Sequence, residues 1–165
     1  MRLDVQGAGE ASVATGLPVL DHLVGLLAEY ACFDLTLEVE PGGADEEVTA
    51  AGRALGESVG EVLRDEGLRR HGTAVIPVDE ALAHVTLEAS GRPLLVSNVD
   101  LSGARVAGLR QDIADRFLRS LAEGAGLTLH VRLLHGEDTN HVLEAIFKAL
   151  GVALAQSCRP RRRKE

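Results

Sequence analysis

Aromatic side chains are nearly missing from this 165-residue chain: it has no tryptophan, and Tyr30, Phe33, Phe117 and Phe147 are the whole set. Val, Leu and Ala must therefore fill the core, and stacking platforms for nucleic-acid bases are disfavoured. Basic side chains are outnumbered 17 to 25 by acidic ones, and the net charge of −8 disfavours polyanions over most of the surface. The one strongly basic run is Arg159–Lys164, and nucleic acid is a poor partner. Cysteine is limited to Cys32 and Cys158, with no Cys-x-x-Cys spacing and no secretory leader, so free thiols in a cytoplasmic protein are expected. No apolar run reaches the roughly 20 residues needed to cross a bilayer. A glycine-rich nucleotide loop, a Ser-His-Asp set and a cysteine-based nucleophile are likewise missing.

What the chain does have is 45% hydrophobic residues over a length suited to one domain, and those residues are periodic. Leu3-Asp4-Val5 and Ala11–Ala14, with Gly7 and Gly9 between, predict two short strands joined by a turn. Pro18 opens a helix that carries Leu20, Leu23, Val24 and Leu27 inward and runs to about Tyr30. Phe33–Glu40 alternates as a half-buried strand, Pro41-Gly42-Gly43 breaks it, and Asp45–Arg64 is an amphipathic helix. Thr73–Val78, Leu82–Ala89 and Pro93–Leu101 predict three strands. A helix over Gln111–Glu123, a strand over Leu127–Leu134 and a helix over Thr139–Gln156, led by Asp138, complete the chain. On that last helix His141 and Glu144 stand three apart and share a face. From this helix alone, a pair of metal ligands and a polar stripe are both open readings.

The pieces repeat. Asp21-His22 and Leu27-Ala28-Glu29, leading to Leu35–Val39, match Asp115-Arg116 and Leu121-Ala122-Glu123, leading to Leu127–Val131. Each block is followed by a helix ending in Ala-Leu-Gly, at Ala54-Leu55-Gly56 and at Ala149-Leu150-Gly151. The expected organisation is one domain over residues 1–158, built from two repeats (about 1–68 and 69–158), with a disordered basic tail over 159–165. In this register Asp45-Glu46-(x)2-Thr49 stands where Asn140-His141-(x)2-Glu144 stands, and His22 stands where Arg116 does.

Six short stretches, in order and spacing, resemble the imidazoleglycerol-phosphate dehydratase family of histidine biosynthesis. They are Leu20-Asp21-His22-Leu23, Phe33-Asp34-Leu35, Pro77–Leu82, Ser90-Gly91-Arg92-Pro93, Leu129-His130, and His141-(x)2-Glu144-Ala145-(x)-Phe147-Lys148-Ala149. The resemblance implies an α/β fold, an α+β sandwich of two pseudo-symmetric halves, each a β-sheet backed by helices, like domain 2 of ribosomal protein S5. It also implies trimers joined into a larger cubic homo-oligomer, and two manganese ions at subunit contacts. The reaction implied is dehydration of imidazoleglycerol phosphate, in which the metals bind the imidazole as an anion and a carboxylate base removes a carbon-bound proton. The family's ligands come mainly from two His-His-x-x-Glu motifs, one per half, with further histidines at the Leu-Asp-His position and its repeat equivalent.

This chain departs from that pattern. Of eight ligand positions, only His22, His141 and Glu144 keep the family's residue; Asp45, Glu46, Thr49, Arg116 and Asn140 occupy the others. Three groups do not hold two ions that each want several imidazole and carboxylate ligands. A guanidinium has no lone pair for a metal, so one reading has Arg116 standing in for the cation and pairing with Asp45, Glu46 or Glu144 across a subunit interface. A second keeps one divalent ion, manganese by the resemblance, on His22, His141 and Glu144 with Glu46 as a fourth candidate. A third leaves solvated side chains. The family's carboxylate base lies before the residue aligned with Met1, so no catalytic base is assigned, and the phosphate segment expected near the C-terminus is replaced by Cys158–Glu165. Arg70, Arg92 and Lys148 keep the basic positions of the family's phosphate pocket, while Leu26 replaces a glutamine there.

The expected function is that of a dehydratase homologue with a decayed dinuclear site and weak or no activity, retaining self-association and an imidazole- or phosphate-bearing ligand. The alternative is an active dehydratase on a single ion. Asp79-Glu80 is expected to serve a strand turn; His84 and His130 to be structural, His71 to lie at the surface, and His135 to lie within reach of the site.

Overall fold

The computed structural model describes residues 1–100, 105–106, 109–110 and 113–162. Its elements are β1 (Arg2–Asp4), β2 (Ala11–Ala14), α1 (Pro18–Ala31), β3 (Asp34–Glu38), α2 (Ala44–Val62), β4 (His71–Val78), β5 (Ala81–Glu88), β6 (Leu94–Ser97), β7 (Arg105–Val106), β8 (Leu109–Arg110), α3 (Ile113–Ala125), β9 (Thr128–His135) and α4 (Thr139–Ser157). The periodic stretches thus become the expected helices and strands within a few residues. Leu101 and Gln111, at the ends of two expected elements, lie outside the described residues. The pairing β7–β8 had no counterpart in the periodicity.

Three strands form one sheet in the order β1-β3-β2, and four form another in the order β4-β5-β9-β6. The two opening strands do not form a hairpin. They flank β3, with β1 antiparallel and β2 parallel to it. The physical reason lies in Asp34: its Oδ1 accepts the backbone N–H groups of Ala8, Gly9 and Glu10 at 2.8, 3.1 and 3.0 Å, pulling the connecting loop across the start of β3. Those donors, Glu10 foremost, hold the Asp34 carboxyl below its ordinary range. Gly9, at φ +93°, takes a backbone conformation that side chains resist.

The second sheet repeats this plan, since β9 has the parallel neighbour β6 and the antiparallel neighbour β5. Strand β4, on the far side of β5, has no counterpart in the first sheet among the described residues. Helices α1 and α2 contact the first sheet, α3 and α4 the second, and the helices meet as α1 on α4 and α2 on α3. Each half therefore packs its second helix against the first helix of the other half.

Those two crossings explain the repeated Ala-Leu-Gly. A Cβ on Gly56 would sit 2.5 Å from the Leu121 carbonyl oxygen of α3, and one on Gly151 would run into the Leu27 carbonyl of α1. Leu121 and Leu27 are themselves equivalent in the repeat. Around the crossings the core is almost wholly aliphatic, with Leu20, Leu27, Leu55, Leu121 and Leu150 fully buried. The Phe117 and Phe147 rings meet with centroids 5.3 Å apart.

The start of the basic tail is bonded to the segment between α2 and β4. Arg69 N–H donates to the Arg159 carbonyl and Arg161 N–H to the Gly67 carbonyl, both at 2.7 Å, with Leu68 bridging to Pro160 between them. The charge pattern carries no trace of this, because the contacts are made by backbone groups. Arg163, Lys164 and Glu165 lie outside the described residues.

Candidate functional site

Two helix starts, one in each half, carry the first group of polar side chains. In α1, Pro18 supplies the first turn, and Asp21 accepts the Thr15 amide at 2.8 Å and the Thr15 hydroxyl at 2.5 Å, fixing the chain just before His22. In α4, Asp138 is the N-cap and accepts the His141 amide at 3.1 Å. Packing of α1 on α4 then brings together two residues 122 positions apart: His22 Nε2–H donates to Glu144 Oε1 at 3.0 Å.

His141 does not join them. Its Nδ1–H donates to Glu80 Oε2 at 2.7 Å, and its Nε2 lies 3.3 Å from Asp79 Oδ2. Glu80 also accepts the amides of Asp138 (2.8 Å) and Glu137 (3.3 Å), and its own carbonyl accepts His135 Nδ1–H at 2.9 Å. The turn expected to serve only the strands therefore has a specific partner, and His135 reaches the site through it. Nothing in the sequence pairs position 80 with 141. The one available signal was two adjacent carboxylates in a tight hairpin, with Asp79 at φ +48°.

At the start of α2 the three replacement residues of the first half, Asp45, Glu46 and Thr49, find partners close by. Glu46 folds back toward the Gly43 amide at 3.4 Å, the buried Glu47 accepts the Gly42 amide at 3.0 Å, and the Thr49 hydroxyl donates to the Asp45 carbonyl at 2.8 Å. Asp45 Oδ1 faces Arg116 Nε of α3 at 3.6 Å, an ion pair longer than a hydrogen bond and partly exposed on both sides. It forms inside one chain, whereas the expectation placed it across a subunit interface, and Glu144 is engaged by His22 instead. Asp45, Glu46, Thr49, Arg53, Glu57 and Arg116 are among the residues lining an open groove of about 510 Å³ between α2 and α3.

For a divalent ion the fit fails within one chain. Among the described residues no three His, Cys, Asp or Glu side chains are grouped to hold one; His22 and Glu144 face each other, His141 is turned to the hairpin, and Glu46 caps its own helix. The basic positions are also held apart. Arg70, at φ +65°, donates its amide to Ser157 O at the end of α4 and its guanidinium to Ala89 O. Lys148 lies over the Tyr30 ring, 5.1 Å from its centroid; it is nine residues, roughly 13 Å of helix, from Ser157. Arg92 is exposed in a turn where the Ser90 hydroxyl accepts its amide. The buried Nε of Arg70 has no hydrogen-bond partner among the described residues.

Charge at the hairpin should be visible in stability. The Asp138 amide, then His141, lower the Glu80 carboxyl from 4.5 to about 2, and the bond to Glu80 raises His141 above 6.5. A depressed carboxyl contributes stability above pH 4.5 that is lost as pH falls toward 2. A raised imidazole contributes stability below 6.5 that is lost as pH climbs past its folded value. The difference in Tm between the parent and Glu80→Gln should thus be largest between pH 4.5 and 6.5 and shrink on both sides. A difference that stays constant from pH 3 to 8 would contradict the assignment.

A sequence model of the imidazoleglycerol-phosphate dehydratase family matches residues 15–154. The chain is 44% identical over 161 residues to the imidazoleglycerol-phosphate dehydratase of Syntrophobacter fumaroxidans, an overlap of 95% of this chain and 82% of that protein. Its fold is similar to the crystal structure of the Staphylococcus aureus enzyme of that name, with a TM-score of 0.89 and 31% identity over 96% of this chain and 92% of that one. The Pyrococcus furiosus structure gives 0.87 and 29%, over 98% and 90%.

Proposed function

This chain belongs to the imidazoleglycerol-phosphate dehydratase family, and from that premise we propose that it is a cytoplasmic, self-associating member whose two-metal dehydration centre has given way to ion pairs. The observation that carries the reading is Arg116 facing Asp45 at 3.6 Å, at positions where the resemblance puts two metal ligands. A guanidinium supplies fixed positive charge where a divalent ion would sit, but it polarises no bound imidazole as a Lewis acid. Dehydratase turnover is accordingly weak or absent.

Retention of an anionic ligand is supported by the buried Arg70 Nε, which has no acceptor among the described residues. A phosphate ester bearing an imidazole-like group is the ligand class. Self-association is supported by Val75, Leu94, Val96 and Leu134, all exposed on the outward face of the second sheet.

Turnover of imidazoleglycerol phosphate with added manganese tests this. Losing about 4 kcal/mol of transition-state stabilisation lowers the rate about 1,000-fold, so at least that deficit is expected relative to a family member with both His-His-x-x-Glu motifs. Turnover within about tenfold of that reference, abolished by chelation and by His141→Ala, would overturn the proposal.

A further inference from the structure

The hairpin between β4 and β5 reaches into the site from a part of the chain that supplies no ligand position. We propose that Glu80 is a positioning residue: it grips the β9–α4 loop and sets the orientation of the His141 ring, so that no metal ion is needed to fix the start of α4. This rests on the reading of His141 as a site residue, and it adds what holds that residue in place.

Four contacts carry the inference, and all four belong to one residue. Glu80 Oε1 accepts the Asp138 and Glu137 amides, Oε2 accepts His141 Nδ1–H, and the carbonyl accepts His135 Nδ1–H. The two histidines bracket the loop, one closing β9 and the other in the first turn of α4. A register shift at Leu82/Ala83, where β5 pairs with β9, lies beside the His135 partner Leu82. The Asp138 amide is one that a helix start leaves without an intrahelical partner, and the Glu137 amide lies just before it in the loop; the carboxylate accepts from both while fixing the ring. Asp79, forced to positive φ, makes the tight turn that presents Glu80.

The first half has no such device. Its sheet lacks a counterpart of β4 among the described residues, and the start of α2 is held by its own Glu46 and Glu47. The two helix starts, equivalent in the repeat, are thus secured differently.

The test uses the full chain in chelator. A long-range proton–nitrogen spectrum should show His141 carrying a hydrogen-bonded Nδ1 proton, identified by its loss in His141→Gln. In Glu80→Ala that signal should disappear, and amide exchange at Glu137 and Asp138 should quicken about tenfold. Glu80→Gln, which keeps an acceptor oxygen, should restore most of the amide protection and serves if the alanine variant does not fold. Asp138→Ala loosens α4 without touching Glu80 and should leave the ring signal in place. An unchanged ring signal in Glu80→Ala, an equal loss in Asp138→Ala, or a signal that appears only on adding manganese would each overturn the proposal. Dehydratase activity in the parent would overturn the functional reading alone, leaving this one standing.

Discussion

Gly56→Ala is expected to destabilise the protein by about 1–3 kcal/mol, although in an exposed helix the same change stabilises by about 1 kcal/mol. The sign decides between a helix surface and a crossing. At Gly56 the new methyl would meet backbone, the Leu121 carbonyl at 2.5 Å and the Gly124 Cα at 3.1 Å, and backbone does not swing aside as a side chain does. Gly151→Ala should behave alike against α1. The crossings share no partners, so the double variant should lose roughly the sum, about 2–6 kcal/mol, out of a total stability of about 5–15. Gly25→Ala is the internal control, with nothing within 4 Å of the added atom; it should be neutral or stabilising. Urea midpoints measure all four, and a higher midpoint for Gly56→Ala than for the parent would rule out close backbone contact there.

The second large effect lies in metal affinity. Asp45→His, Glu46→His, Thr49→Glu, Arg116→His and Asn140→His together return the five departed positions to the family's ligands. Manganese binding, followed by the paramagnetic spectrum of the free ion, should tighten by more than about 100-fold over the parent. Reverting Asn140 alone should do far less, because it leaves Arg116 and the three altered positions of α2 in place. A parent that binds as tightly as the five-position variant would mean that the surviving groups, with help from a neighbouring subunit, already make a working ion site.

The helices were legible because their apolar spacing is set by burial, and α1, α2 and α4 follow it closely. Register was less so. The opening strands looked like a hairpin because Gly7 and Gly9 read as a tight turn, while the residue that decides the matter, Asp34, lies more than twenty positions away. The departures at the ligand positions were visible residue by residue, and Arg116 does face Asp45. The partners of His141 and the backbone bonds of Arg159–Arg161 were not visible. One depends on a contact spanning 61 positions, and the other on backbone groups that side-chain chemistry does not encode.

The exchange of helices between the halves bears on ancestry. A chain of half this length would leave the glycine ridge of its second helix and the carbonyls of its first uncovered, and two copies would cover both by pairing about a two-fold axis. The present molecule has the form of such a homodimer with its subunits joined through residues 63–70. Before joining, one substitution would have altered both symmetric sites at once. Afterwards each site has its own codons, and that independence is what lets one half carry Arg116 while the other still carries His22.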